Sequence, residues 1–219
     1  MKGITPRLAK TLMGAHFFGA DDWTLFYKVG ISHEQLHKTE EFPWGEEVLT
    51  GKCPLCGKQV RECHFAFLGI NQSSGPLNLL KFQELHPISS SPRFMSYAPL
   101  SWYSKEDFAK TKMSLQWRLL HIEVIPGSEG KSLSEQKNIL PPEYKIPRGI
   151  DEAAKQLLFF KINRYYPNRM RYARCADLTS EGNYVYVGLR PSYGLRIDRC
   201  SGSKCDNSIG VAASRKIPH

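Results

Sequence analysis

The sequence lacks the features that mark several specialised classes of protein. No run of residues approaches the roughly 18 apolar positions that a membrane-spanning helix needs. Neither a Gly-x-Gly-x-x-Gly fingerprint nor a phosphate-binding loop or nucleophile triad can be recognised. Six cysteines in 219 residues are too few for a secreted disulfide scaffold. These absences argue against a membrane-spanning protein, a dinucleotide-binding enzyme and a disulfide-rich domain.

The composition is that of an ordinary folded protein. Apolar residues make up 41% and charged residues 23% of the chain, which are proportions typical of a globular protein. The moderately apolar segment at residues 11–20 is too short and too polar for the core of a signal peptide. Because the cysteines are also sparse, we expect a reducing compartment, the cytoplasm.

The order of predicted elements indicates an α+β fold. Helical periodicity with capping residues, and runs of β-branched or alternating apolar residues, define these elements. The helices are predicted at residues 6–13, 21–28, 33–40, 45–49, 105–110, 133–139 and 151–166. The strands are predicted at residues 65–70, 117–125, 170–175, 183–190, 193–198 and 209–213. We therefore expect short N-terminal helices and then a mainly antiparallel sheet with one longer helix, in two regions (1–100 and 101–219) or one domain.

Cys53 and Cys56 form a motif that is typical of one half of a zinc site. Two cysteines separated by two residues, with a glycine after the second, let both thiolates reach one tetrahedral ion from a tight turn. Because neighbouring side chains on a strand point to opposite faces, we expect one of Cys63 and His64 to join them, with a fourth ligand from elsewhere. Further candidate ligands are His33, His37, Cys200 and Cys205. The leading candidate ligands of this predicted structural zinc site are Cys53, Cys56, Cys63 and His64. The alternative is a reduced turn that binds no metal.

A pentapeptide that begins at His33 matches the His-Glu-x-x-His pattern of zinc-dependent hydrolases. In that pattern two histidines one helical turn apart, here His33 and His37, bind zinc, and Glu34 activates a water molecule. However, Ser32 and Gln35 form a capping box that places the motif at the start of a helix, and polar residues follow it. We therefore favour an exposed capped helix and keep a hydrolase as the alternative.

The charge of the chain is distributed unevenly. Residues 1–109 contain 11 basic and 11 acidic side chains, whereas residues 110–219 contain 19 basic and 10 acidic side chains. The whole formal net charge of +9 therefore lies in the second half. This asymmetry predicts that the C-terminal half faces an anionic partner.

Aromatic and basic side chains are interleaved in this C-terminal half. Helical spacing places Lys155 and Phe159 together on a face away from the apolar stripe, and strand alternation places Tyr184 and Tyr186 on an open face of a sheet. Rings beside cations are typical of surfaces that bind single-stranded nucleic acid. The predicted anion-binding residues are Lys155, Phe159, Lys161, Arg164, Arg169, Arg171, Tyr184, Tyr186, Arg190 and Arg196. The alternative is that these side chains populate an ordinary wet sheet face or lie under a helix.

Five short segments carry a resemblance to other proteins. They are FFG at residues 17–19, SWY at 101–103, FAK at 108–110, YVG at 186–188 and GVAASRK at 210–216. On these segments the chain resembles a group of uncharacterised bacterial proteins, and the resemblance implies no activity and no site residues. The group's pattern includes neither the His-Glu-x-x-His helix nor the segment of Cys53 to Cys63, so a zinc site would be a local feature of this chain.

These observations predict a non-enzymatic intracellular binding protein with a zinc-stabilised turn. Its basic C-terminal surface would bind nucleic acid or another anionic partner. The two alternatives are a zinc-dependent hydrolase that uses the His33 motif and a protein–protein interaction module whose basic half meets an acidic protein surface.

Overall fold

Two β-sheets and one long helix organise the chain. The computed structural model describes residues 2–70, 77–95, 101–168, 170–190, 193–203 and 206–218. Within them the helices are α1 (Pro6–Met13), α2 (Ala20–Tyr27), α3 (His33–Lys38), α4 (Glu46–Thr50), α5 (Val60–Cys63), α6 (Leu79–Leu85), α7 (Asp107–Lys110), α8 (Leu133–Ile139) and α9 (Gly149–Asn163). The strands are β1 (Phe17–Phe18), β2 (His64–Gly69), β3 (Gln116–His121), β4 (Tyr144–Lys145), β5 (Tyr172–Leu178), β6 (Tyr184–Arg190), β7 (Gly194–Cys200), β8 (Ile209–Val211) and β9 (Ser214–Arg215).

The strands pair mainly in antiparallel fashion. The first sheet has the order β1-β2-β3-β9-β4, and the second has the order β7-β6-β5-β8. Only the β1–β2 and β5–β8 pairs are parallel among the described strands. In the antiparallel β2–β3 pair, His64 lies directly opposite His121. The α+β fold expected from the sequence is confirmed.

Helix α9 lies in the interior of the protein and contacts β2, β5 and β6. Every residue from Gly149 to Phe159 is buried, including Glu152 and Lys155. The apolar stripe predicted from helical periodicity is present, but the opposite side of the helix is covered as well. The expectation that Lys155 and Phe159 form an exposed face is therefore wrong.

One hydrophobic core joins the two halves of the chain. It contains buried residues from Ala9 in α1 to Ile197 in β7. Two tryptophan side chains add long-range hydrogen bonds, since Trp44 Nε1 donates to the carbonyl of Lys216 at 3.0 Å and Trp102 Nε1 donates to that of Ile197 at 3.1 Å. None of the described helices has the length and apolar character required to cross a membrane.

Candidate metal centre

The cysteine motif forms a tight turn before α5. The backbone N–H of Cys53 donates to the carbonyl of Lys58 at 2.7 Å, and that of Gly57 donates to the carbonyl of Cys53 at 2.8 Å. Gly57 has a φ of 76°, a left-handed conformation that glycine adopts without steric cost. The turn therefore presents the side chains of Cys53 and Cys56 toward one point.

Four potential metal ligands converge beside this turn. The ligand atoms of Cys53, Cys56, Cys63 and His121 all lie within 4.8 Å of one another, so they lie close enough to hold a metal ion. Cys63 is the last residue of α5, and His121 is the last residue of β3. In the described part of the chain this is the only such group of three or more cysteine, histidine or acidic residues.

The donor set fits zinc. Three thiolates and one imidazole are soft to borderline ligands that favour Zn²⁺ in tetrahedral coordination. None of the three cysteines is engaged in a disulfide. Because four protein ligands fill a tetrahedron, such a set is characteristic of a structural site, whereas a catalytic zinc ion keeps one position for water or substrate.

The hydrogen bonds of His121 leave one ring nitrogen available to a metal. Its Nδ1 lies 2.8 Å from the carbonyl oxygen of Glu123, which can only accept, so Nδ1 carries the proton. Its Nε2 is buried and has no hydrogen-bond partner in the described structure. Buried polar atoms without partners are rare and require an explanation. A histidine that donates from one nitrogen to a backbone carbonyl and presents the other to a metal is the usual arrangement of a ligand.

His64 does not belong to the group of four, which corrects its predicted role as a ligand. Its Nδ1 lies 3.2 Å from Cys63 Sγ and its Nε2 lies 3.1 Å from the hydroxyl of Tyr144, so both nitrogens have partners. Of the neighbours Cys63 and His64, only Cys63 lies in the group of four. The sequence contains no local signal for His121, because the pairing of β2 with β3 is what brings that residue to the turn.

Tyr144 and Arg215 border the thiol cluster on its buried side. The Tyr144 hydroxyl lies 3.8 Å from Cys53 Sγ, and Arg215 donates to that hydroxyl at 3.1 Å. Burial, followed by the negative charge of Cys53, raises the pKa of Tyr144. Three thiolates with one divalent ion and a neutral imidazole carry a net charge of −1, so the guanidinium of Arg215 complements a loaded site.

The thiols influence one another strongly. A hydrogen bond with Cys63 is the largest cause that lowers the pKa of Cys53, and the same hydrogen bond is the largest cause that raises the pKa of Cys63. One thiolate is therefore stabilised while it opposes ionisation of the second. A divalent cation would remove this repulsion and allow all three sulfur atoms to ionise.

The opposite side of the cluster faces a cleft of about 780 Å³. Cys56, Cys63 and His121 line this cleft, and Cys53 does not. Cys56 is half-buried, whereas Cys53 and Cys63 are buried. The cluster thus has one closed side and one side from which a metal ion or a chelator can approach.

The His-Glu-x-x-His helix does not form a metal site in the described structure. The capping box is present, since Ser32 Oγ accepts from the N–H of Gln35 at 3.3 Å. The side chains of Glu34 and His37 are 77% and 80% exposed, and they pair with Lys38 and Glu40 respectively. No third ligand approaches the two histidines among the described residues.

The predicted anion-binding residues on α9 and after it are dispersed. Lys155 is fully buried, and Phe159 is 1% exposed. Lys161 lies over the ring of Tyr27, with Nζ 5.7 Å from the ring centre. Arg164 is exposed, whereas Arg169 lies outside the described residues.

The predicted residues of the second sheet are also separated. Arg171 is exposed and pairs with Glu129 at 3.0 Å, and Arg196 pairs with Asp198. Tyr186 is only 9% exposed and packs against Tyr172, so its expected place on an open face is wrong. Tyr184 is half-buried. The side chain of Arg190 and all of Cys205 lie outside the described structure.

A basic groove lies elsewhere in the C-terminal half, between α8, β4 and the strands β5 and β6. It has a volume of about 510 Å³, and Tyr184 and Leu178 are among the residues that line it. Its exposed charged residues are Lys137, Lys145 and Lys216, and no acidic side chain from the described ranges lines it. Lys137 and Lys145 lie on the consecutive elements α8 and β4, whereas Lys216 follows β9, so only the fold brings Lys216 to the other two.

The chain was also compared with known proteins. No protein-family model, no curated protein and no solved structure matches it.

Proposed function

We propose that this protein binds one zinc ion through Cys53, Cys56, Cys63 and His121, and that the ion has a structural role. The observation that carries this proposal is the buried Nε2 of His121, which has no hydrogen-bond partner among the described residues and lies beside three thiols. The ion fastens the cysteine turn to the end of β3. Its binding energy therefore adds to the stability of the fold.

Metal analysis of the purified protein tests this proposal. We expect one zinc ion per chain in the wild-type protein and a loss of zinc in Cys56→Ser and in His121→Ala. Cys200→Ser and His37→Ala are matched controls, because each removes the same type of side chain outside the cluster, and both are expected to retain zinc. Wild-type protein without zinc, or a folded His121→Ala variant with full zinc, would overturn the proposal.

We further propose that the basic groove is the surface that binds the anionic partner, and that this partner is single-stranded nucleic acid. Three exposed lysines and no acidic side chain line the groove, so phosphate groups are complementary to it. The half-buried ring of Tyr184 offers a surface on which a base can stack. This position agrees with the excess of basic residues in the C-terminal half.

Fluorescence anisotropy with a labelled single-stranded oligonucleotide tests the groove. We expect binding at low salt that weakens as salt rises, with a slope of about −2 in log K against log salt for three phosphate contacts. Replacing Lys137, Lys145 and Lys216 by glutamate should weaken binding at least about tenfold.

The matched control replaces three exposed lysines outside the groove by glutamate, which changes the net charge equally. These residues are Lys38, Lys81 and Lys110. An equal loss of affinity in both triple variants, or no binding by the wild-type protein, would overturn the nucleic-acid proposal. Selective binding of an acidic peptide in place of the oligonucleotide would assign the groove to a protein partner and would equally overturn it.

A further inference from the structure

A buried lysine contacts the backbone that carries the histidine ligand. Lys155 Nζ donates to the carbonyl oxygen of His121 at 3.0 Å and to that of Ile122 at 2.8 Å. It also forms an ion pair with Glu152 at 2.8 Å, and both side chains are completely buried. A buried ion pair is costly to desolvate and contributes little net stability, so its position next to a metal ligand requires a specific explanation.

The carbonyls of His121 and Ile122 lie at the end of β3, and both accept from Lys155 of α9. The N–H of His121 donates to the backbone carbonyl of Ala213 at 2.9 Å, and the N–H of Ile122 donates to the backbone carbonyl of Cys63 at 2.8 Å. Both N–H groups are thus held by neighbouring backbone, while Lys155 supplies the hydrogen bonds for the corresponding carbonyls. The peptide planes on either side of the His121 Cα are therefore fixed.

Asn168 fixes the other end of the same segment. Its Oδ1 accepts from the N–H of Val124 at 2.6 Å, and its Nδ2 donates to Glu152 Oε1 at 3.2 Å. Glu152 therefore ties Lys155 and Asn168 into one buried network. Between these two anchors lies Glu123, whose carbonyl accepts from the His121 ring.

We infer that Glu152, Lys155 and Asn168 are positioning residues for the metal ligand His121. They hold residues 121–124 so that the Glu123 carbonyl orients the imidazole and Nε2 faces the three thiols. Among the described hydrogen bonds, the network reaches His121 through its backbone carbonyl and through the segment that carries Glu123. This inference rests on the proposed zinc site and identifies the part of the fold that sets its affinity.

A second buried ion pair, which joins β3 directly to α9, provides a comparison. Arg118 of β3 pairs with Asp151 of α9 at 2.5 Å and donates to the carbonyls of Ser114 and Gln116. This pair holds the beginning of β3, whereas Glu152 and Lys155 hold its end. Only loss of the Glu152–Lys155 pair should change zinc binding, because only this pair contacts the backbone of His121.

The experiment measures zinc affinity by competition with a chromophoric chelator. We expect the double variant Glu152→Gln with Lys155→Met to bind zinc about 10- to 100-fold more weakly, the usual effect of removing an outer-shell partner. The control double variant, Asp151→Asn with Arg118→Met, should keep the wild-type affinity. The absorption spectrum of the Co²⁺-substituted protein should also change in the first variant and not in the control.

A milder variant decides the question if the first double variant does not fold. Asn168 has a φ of 54°, and Asn168→Gly keeps this conformation available while it removes the contacts to Val124 and Glu152. A several-fold loss of zinc affinity in this variant supports the inference. Unchanged affinity in the folded variants, or equal losses in both pairs, overturns it. A wild-type protein that binds no zinc would instead contradict the proposed function.

Discussion

His121 and His86 are both buried, yet their surroundings differ in one respect. His86 Nδ1 lies 3.0 Å from the carbonyl of Pro92, and its Nε2 lies 2.9 Å from the hydroxyl of Tyr27. In the described part of the chain, His121 Nδ1 has a carbonyl partner, whereas its Nε2 meets no hydrogen-bond geometry and lies beside the three thiols. Burial of a histidine therefore does not by itself indicate a metal site. The indication is a buried nitrogen without a partner that lies next to other ligands.

The surroundings of His86 are those of a packing residue. Its ring contacts Tyr27 edge-on and Phe82 face-on, with centres 5.6 and 6.4 Å apart. Burial lowers the pKa of His86 to about 4, and burial raises the pKa of Tyr27. Both side chains are thus held neutral, in contrast to the thiol cluster, whose geometry suits a cation.

Removal of zinc should produce the largest effect in this comparison. At a free zinc concentration 1,000 times the dissociation constant, binding to the folded state adds about 4 kcal/mol to the free energy of unfolding. We therefore expect EDTA to lower the denaturation midpoint of the wild-type protein strongly. Cys63→Ser should have a low midpoint that EDTA does not change. A wild-type midpoint that is insensitive to both zinc and EDTA would contradict this prediction.

Replacing His86 should cost less and should leave zinc binding intact. In His86→Leu the hydroxyl of Tyr27 loses its partner inside the protein, which costs about 1–3 kcal/mol. Denaturant unfolding in the presence of EDTA measures this loss separately from the metal. The double variant with Tyr27→Phe should recover part of it, because no unpaired hydroxyl remains. Loss of zinc in His86→Leu would show that zinc binding requires His86 as well as His121, and it would contradict this prediction.

The low pKa of His86 predicts that the free energy of unfolding depends on pH. The unfolded chain protonates His86 near its ordinary pKa of 6.5, whereas the folded protein excludes this proton down to about pH 4. The folded state therefore binds fewer protons in this range, so its stability falls as the pH is lowered. Lys161 acts in the same direction, because its positive charge disfavours a protonated His86.

Between pH 6.5 and 4.5 the contribution of His86 should amount to about 2 kcal/mol. The measurement compares the free energy of unfolding of the wild-type protein and His86→Leu at both pH values in EDTA. The difference between the two proteins isolates His86 from the carboxylates, which titrate in both. Parallel pH profiles would show that His86 is not the titrating group.

The exposed His-Glu-x-x-His helix should give the smallest effect. Glu34 and His37 take part in solvent-exposed ion pairs, which contribute little to stability because water screens them. Glu34→Gln and His37→Ala should therefore leave both zinc content and the unfolding midpoint almost unchanged. Loss of zinc or of a hydrolytic activity in Glu34→Gln would restore the hydrolase interpretation.

Local patterns predicted the elements that depend on neighbouring residues. The helices α1 and α8 begin and end where capping residues and apolar spacing place them, and the cysteine turn follows from the spacing of Cys53 and Cys56. His121 could not be assigned in this way. It reaches the turn through the β2–β3 pairing, which is a contact between distant segments.

The interior of α9 shows a second limit of sequence patterns. Helical spacing places Lys155 and Phe159 on a face away from the apolar stripe, which predicts a surface position for Lys155. In the structure the charges on this part of α9 are instead buried and compensated, Asp151 by Arg118 and Glu152 by Lys155. Helical periodicity indicates which side of a helix a charged side chain occupies. It does not show whether a buried partner compensates that charge.

The distribution of the ligands along the chain also bears on the order of folding. Three of them precede β2, and the fourth follows after α6 and α7 at the end of β3. A nascent chain that has not yet reached β3 can offer three thiols but no His121 imidazole. The complete donor set therefore forms only when the long loop between β2 and β3 has closed. This step is slow because loop closure costs conformational entropy. Uptake of the ion would therefore report when β2 and β3 have paired.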